Sequence, residues 1–248
     1  ARNNPACNPA FLAETKLAYR PHRLLALPDG RTVILSGTPD YGSTGGGLLF
    51  WDRRERTHVV LKDTDVIPNQ STLSLVELPG GKLLGGTTTT PGTGGEKKAT
   101  EAEMYILDAA SKKLDWHSPV IPGVQDYTDM YRTPDGLVYG FADRKTFFVF
   151  DPAKRAVVHR EDVETSLGLT ASQQGPRVFI AGPENQVLAL FLKGVVRIDP
   201  ATHKLNLGAK SPVPASCGGD YLDGRVYFAS GSHLYSCPAP RNDGGGKP

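Results

Sequence analysis

RTPDGLVYGFADRKTFFVFDPAKRAVVHRE, residues Arg132–Glu161, decides the fold. It opens on Pro134-Asp135-Gly136, a tight-turn composition in which Pro presets φ and Gly tolerates a left-handed backbone. Three short runs rich in β-branched and aromatic residues follow, at Leu137–Phe141, Thr146–Asp151 and Ala156–Arg160. Asp151-Pro152-Ala153-Lys154-Arg155 separates the second run from the third and suits a type I turn. With an inner run, Asp129–Thr133, before the first turn, the stretch reads as a four-stranded antiparallel meander of about 40 residues.

Both signals recur. Turn triplets stand at Pro28-Asp29-Gly30, Pro79-Gly80-Gly81, Pro183-Glu184-Asn185 and Leu222-Asp223-Gly224. Including Gly136, their third residues are spaced by 51, 55, 49 and 39. Each of the first four turns is followed by an apolar run ending in aspartate: LLFWD at Asp52, MYILD at Asp108, FFVFD at Asp151 and VVRID at Asp199. Two markers repeating in one order at this period indicate a repeat architecture, and a four-stranded unit of this size is a propeller blade.

The predicted fold is therefore all-β, a β-propeller of five blades with strands a to d running outward from the axis. Blade one is His22–Leu27, Thr32–Gly37, Gly47–Asp52 and His58–Lys62; blade two is Thr72–Leu78, Lys82–Thr88, Glu103–Asp108 and Leu114–Ser118. Blade three is the opening stretch. Blade four is Arg177–Gly182, Gln186–Lys193, Val195–Asp199 and Lys204–Leu207; blade five is Ala215–Leu222, Arg225–Ser230 and His233–Pro238. Residues 1–240 read as one domain, and Arg241–Pro248 reads as a disordered tail.

The fifth unit lacks its outer strand, whereas Phe11–Tyr19 is a spare run. Placing that run beside blade five would close the ring and remove two free edges. It would also bring Cys7 towards Cys237, the preferred disulfide, with Cys7–Cys217 second; three free thiols are the alternative.

The totals exclude more than they identify. Lys and Arg number 28 against 26 Asp and Glu, and a net charge of +2 gives no sign of attraction to nucleic acid or membrane. The longest apolar run, Val187–Leu192, is too short to span a bilayer. Twenty-eight Gly and 20 Pro point to many turns and few helices. A chain beginning at Ala1 suits a mature secreted or periplasmic form, expected as a monomer.

In a propeller the b–c and d–a connections share one face. The long connections are Thr38–Gly46 and Thr89–Ala102 of the first kind, and Asp63–Ser71, Val120–Thr128 and Asp162–Pro176 of the second. Long loops on one rim of a rigid scaffold are the usual home of binding. Candidate ligand groups there are Arg20, His22, Asn69, Gln70, Asp126, Tyr127 and Gln173 at the inner strand starts, with Tyr41 overhanging from the first long loop. This mix of amides, hydroxyls and rings suits a glycan or another small polar ligand; the bland alternative is that these groups satisfy backbone and channel water.

A second class is a polysaccharide lyase or glycoside hydrolase acting on a sugar acid. His22 with Tyr127 or Tyr41 would supply base and acid, and Arg20 would hold the carboxylate. A third is a protein-interaction scaffold. Gly92–Lys98 lacks the Gly-Lys-Ser/Thr ending of a phosphate loop, no histidine pair has metal-ligand spacing, and neither metal nor cofactor is expected. Asp126, Asp129 and Glu77 are the carboxylates that could pair, at a separation the sequence does not fix.

YILDAASKKLDW, Tyr105–Trp116, resembles the tryptophan-docking motif of quinoprotein propellers but carries Lys112 where that family has glycine, and the Trp does not recur. The Pro-Asp-Gly-x-hydrophobic-Tyr and hydrophobic-Phe-Asp-Pro units resemble gluconolactonase-like and NHL-like propellers. Tyr41–Asp52, Ile67–Ser71, Gly85–Thr87 and Glu101–Asp108 are similar to bacterial propeller proteins of undefined activity with longer chains. That last resemblance implies the alternative architecture, five units within a larger ring.

Overall fold

The computed structural model describes residues 10–171 and 177–240. The chain forms antiparallel sheets in sequence order. The first blade is β1 (Arg20–Ala26), β2 (Thr32–Thr38), β3 (Gly47–Asp52) and β4 (Thr57–Leu61). The second is β5 (Ser71–Leu78), β6 (Lys82–Thr88), β7 (Met104–Asp108) and β8 (Leu114–Ser118). The third is β9 (Tyr127–Arg132), β10 (Val138–Ala142), β11 (Thr146–Asp151) and β12 (Ala156–Asp162). The fourth is β13 (Phe179–Ala181), β14 (Val187–Phe191), β15 (Gly194–Ile198) and β16 (Leu205–Lys210). Among the described residues the fifth has three strands, β17 (Cys217–Leu222), β18 (Arg225–Ser230) and β19 (His233–Pro238). Inner strands pack on one another, β1 on β5, β5 on β9, β9 on β13 and β13 on β17, so this is a five-bladed propeller.

The repeating aspartates have a structural cause. Asp52 Oδ1 accepts the backbone N–H groups of Arg54 and Glu55 at 2.9 and 3.0 Å. Asp151 Oδ1 accepts those of Ala153 and Lys154 at 3.0 and 3.2 Å, and Asp199 Oδ1 those of Ala201 and Thr202 at 2.9 and 3.0 Å. Asp108 Oδ1 accepts from Ser111 N–H at 2.7 Å. Each carboxylate thus pins the reversal from third to fourth strand. The residue four positions on turns left-handed: φ is 55° at Arg56, 59° at Lys112, 54° at Arg155 and 58° at His203.

Four apolar seams join successive blades. Ile34 and Phe50 meet Leu75 and Tyr105; Leu84 and Ile106 meet Met130 and Phe148. Phe141 and Phe147 meet Phe179 and Phe191; Leu188 and Leu190 meet Val226 and Phe228. The third-strand aromatics need room across the sheet, and glycine supplies it. Gly140 pairs with Phe148, and Gly85 with Tyr105. A Cβ at Gly140 would lie 2.1 Å from Phe148 Cζ, and one at Gly85 2.0 Å from Tyr105 Cζ.

Among the described residues, Phe11–Tyr19 does not form the outer strand of the fifth blade. Phe11–Tyr19 contains a 3-10 turn, Lys16–Ala18, packed against β2 and β3 of the first blade. Thr15, whose hydroxyl accepts the N–H of Leu17 at 3.2 Å, favours the turn over an extended run. Among the described residues no apolar cluster joins the fifth blade to the first. Leu24 on one flank and Leu222 and Leu234 on the other are 70%, 66% and 76% exposed. Cys7 and Arg241–Pro248 lie outside the described residues, and Cys217 and Cys237 are free thiols, so the expected Cys7–Cys237 bridge is not seen. Among the described residues no helix is long and apolar enough to cross a membrane.

Arg155→Gly is expected to raise stability by about 0.5–1 kcal/mol by relieving the left-handed backbone, and Asp151→Ala to lower it by about 1–2 kcal/mol. Urea unfolding monitored by circular dichroism reads both. Gly140→Ala should cost about 1–3 kcal/mol, because the Phe148 ring has no space to withdraw into. Arg31 Nε donates to Asp52 Oδ2 at 2.6 Å, and this bond, with the turn N–H groups, holds the Asp52 carboxyl down to about 2. The folded value lies below the unfolded one, so its stabilisation is present above pH ~4 and fades as pH falls towards 2. Asp52→Asn should flatten the stability–pH curve in that window, and an unchanged curve would refute the assignment.

Candidate functional site

The two long b–c loops lie on the same face and hold each other. Gly42 N–H donates to Thr93 O at 2.9 Å, Gly92 N–H to Ser43 O at 3.1 Å, and Thr44 Oγ1 to Glu96 O at 2.6 Å. Loop composition explains this: glycines let two backbones approach, and threonine and serine supply short donors.

Arg20 and Tyr41 are brought together at that rim. The Arg20 guanidinium donates to the Tyr41 hydroxyl at 3.1 Å and its Cζ stands 5.2 Å from the ring centroid. Tyr19 meets the same ring edge-on at 5.8 Å. Tyr19 and Tyr41 are 52% and 59% exposed, so neither ring is consumed by core packing.

The other candidates divide. His22 Nδ1 lies 3.2 Å from Thr72 O; a carbonyl only accepts, so Nδ1 carries the proton. Burial lowers its pKa, outweighing that bond, and leaves the ring neutral near pH 7. Gln70 is buried: its Nε2 donates to Glu101 O at 3.1 Å, and its Oε1 accepts from Thr87 Oγ1 and from Glu103 N–H. Tyr127 is fully buried and its hydroxyl accepts from Ile121 N–H at 3.3 Å. Burial pushes its pKa well up. Asp126 accepts from Thr128 Oγ1 at 2.6 Å, and burial raises its carboxyl. Asn69, at φ 62°, donates its backbone N–H to Asp63 Oδ2 at 2.8 Å. Gln173 lies outside the described residues.

A cavity of about 350 Å³ opens on the axis where β1, β9, β13 and β17 face one another. His22, Arg23, Asp129, Tyr131, Arg177 and Phe179 bound it. Asp129 is 3% exposed and well held: Oδ2 accepts the N–H groups of Val178 and Phe179 at 2.7 and 3.3 Å, and Oδ1 that of Met130 at 2.9 Å. Arg23 stands 3.7 Å from Oδ1. Burial still pushes the Asp129 carboxyl upward, against Arg23 and those donors. The sequence candidates include neither Arg23, one residue inside the first inner strand as expected from the sequence, nor Arg177, which stands two residues before β13.

A larger cavity, about 580 Å³, lies on the opposite rim between the short turns of the first two blades. There Arg31 pairs with Asp52, and Asp29 accepts from Thr32 Oγ1 at 2.7 Å. Among the described residues no group of three His, Cys, Asp or Glu side chains could hold a metal ion.

No family model and no curated protein matches the sequence. Solved structures do match in fold. One is the extracellular domain of a one-component system, BT4673 of B. thetaiotaomicron: TM-score 0.61, 12% identity, 90% of this chain and 30% of that one. The Dos1 propeller aligns at TM-score 0.55 and 12% identity over 84% of this chain and 48% of its own. The extracellular domain of a hybrid two-component system, BT3049 of B. thetaiotaomicron, aligns at 0.58 and 12% over 88% and 27%. The chain thus spans between about a quarter and a half of the proteins it matches.

Asp129→Ala strips three N–H donors of their acceptor and leaves Arg23 without its counter-ion. It is expected to lower unfolding free energy by about 3 kcal/mol in a denaturant titration.

Proposed function

We propose that this propeller binds a small polar ligand of carbohydrate type on its long-loop rim, outside the cytoplasm. The observation that carries the reading is the Tyr19–Arg20–Tyr41 group. An exposed ring with a guanidinium fixed against it offers an apolar face for a sugar ring and oriented donors for its hydroxyls. The loop beneath Tyr41 is clamped to its neighbour, so little ordering is left for ligand binding to accomplish. Two of the matched structures are named as extracellular domains of one-component and two-component systems, which fits a recognition role in a secreted or periplasmic setting.

The lyase or hydrolase reading has less support. Tyr127 is sealed in the core, so Tyr41 remains as acid at the rim, while the neutral His22 lines the axial cavity instead. A protein-interaction role has no observation of its own in its favour.

A glycan panel, scored for both binding and product formation, tests the reading. Tyr41→Ala should weaken the best-bound glycan tenfold or more while leaving the melting temperature within a few degrees. Binding unaffected by that change, or no binding by the parent chain, would refute the rim; turnover would restore the enzyme.

A further inference from the structure

We infer that the axial cavity is a second binding site, for a small monocarboxylate of the sugar-acid class, held by Arg177 and Arg23. It shares none of the rim group's side chains and does not rest on the rim reading. Arg177 is exposed and makes no hydrogen bond or ion pair among the described residues, although it stands on the wall of the cavity. Arg23, only 28% exposed at its side chain, lies 3.7 Å from Asp129, beyond good hydrogen-bond distance, so its donors are largely unspent. Two arginines therefore line one pocket with most of their donor capacity unspent.

The charge of the occupant follows. Arg23 and Arg177 contribute two positive charges, Asp129 removes one, and His22 adds none. One net positive charge matches one carboxylate, and a planar carboxylate fits a guanidinium fork. A dianion such as phosphate would be drawn to the arginines but would meet the Asp129 carboxylate on the same wall. Asp129 is itself a positioning residue: three backbone donors fix it, and it fixes the direction from which Arg23 approaches.

The size and remaining walls narrow the class. About 350 Å³ is at the small end of ligand pockets, room for a compact molecule rather than a chain. Tyr131 and Phe179, with ring centroids 6.1 Å apart, add apolar surface to the lining. His22 supplies an uncharged hydrogen-bonding group. An apolar wall, a neutral polar group and an anion clamp together suit a carboxylate joined to a polyhydroxylated ring.

Calorimetric titration of the full chain with D-glucuronate, D-galacturonate, D-glucose and inorganic phosphate tests the site. At least one uronate should bind tenfold or more tightly than glucose and phosphate. Arg177→Gln should weaken that binding tenfold or more, with the circular dichroism spectrum unchanged, whereas Tyr41→Ala should leave it intact. The proposal falls if neither uronate binds, if Arg177→Gln changes nothing, or if glucose or phosphate binds as tightly. Loss on Tyr41→Ala alone would assign the uronate to the rim and overturn the axial site. Arg23→Lys, which keeps the charge beside Asp129 but removes the fork, is the second variant and should also weaken uronate.

Discussion

A four-stranded sheet has two faces, and here both are apolar in the central blades, so neither is stable in water until another sheet covers it. That constraint governs the molecule. Ile34, Phe50, Leu84, Phe148, Phe147 and Phe191 are all buried in contacts between blades rather than inside one, so a blade has no separate core. Face-to-face packing of twisted sheets turns each blade relative to the last, and the inner strands then converge on an axis. The cavity between them is a consequence of packing the seams, not a feature built for itself.

Inner strands converge with their polar groups as well as their apolar ones, and the polar groups must be satisfied there. Thr72 Oγ1 lies 2.8 Å from Tyr105 Oη, and Ser74 Oγ donates to Tyr127 O at 2.8 Å, each joining an inner strand to another element. Asp129 does the same across two blades, since its carboxylate takes the N–H groups of Val178 and Phe179, where β13 begins. Where pairing is complete, as at Gln70 and Tyr127, a polar side chain is scaffold. Where it is incomplete, as at Arg177, it is available. That distinction separates the two kinds of residue on this face better than residue type does.

The blades were legible because their markers have strong local causes. Asp52, Asp108, Asp151 and Asp199 each cap the turn that follows, a requirement met within four residues of chain. The common rim of the long loops followed from topology alone. Site residues were less legible: Gln70 and Tyr127 begin inner strands, yet whether their tips meet ligand or backbone depends on Glu101, Glu103 and Ile121, which sequence reading cannot place. The register shift between Pro21 and Arg23 is also invisible in sequence. It helps decide which β1 side chains reach the axis. The Phe11–Tyr19 run misled because a spare apolar segment and a missing strand are easily matched, although Thr15 favours a turn there.

Strand β1 is where these threads meet. It carries Arg20 to the rim and His22 and Arg23 to the axis, while Leu24 lies 70% exposed at the seam between first and last blades. It is hydrogen-bonded within its sheet only to β2, and its alternating burial contrasts with the solid burial of β10 and β14. A strand with one partner and a half-covered face belongs to the less stable part of a fold. The groups proposed to bind ligand therefore ride on an element whose position depends on a few tethers: His22 to Thr72, Arg23 to Asp129 and Arg20 to Tyr41. Each tether runs to a different element, so β1 is positioned by contacts outside its own sheet, with Arg20 held at the rim independently of Arg23 at the axis.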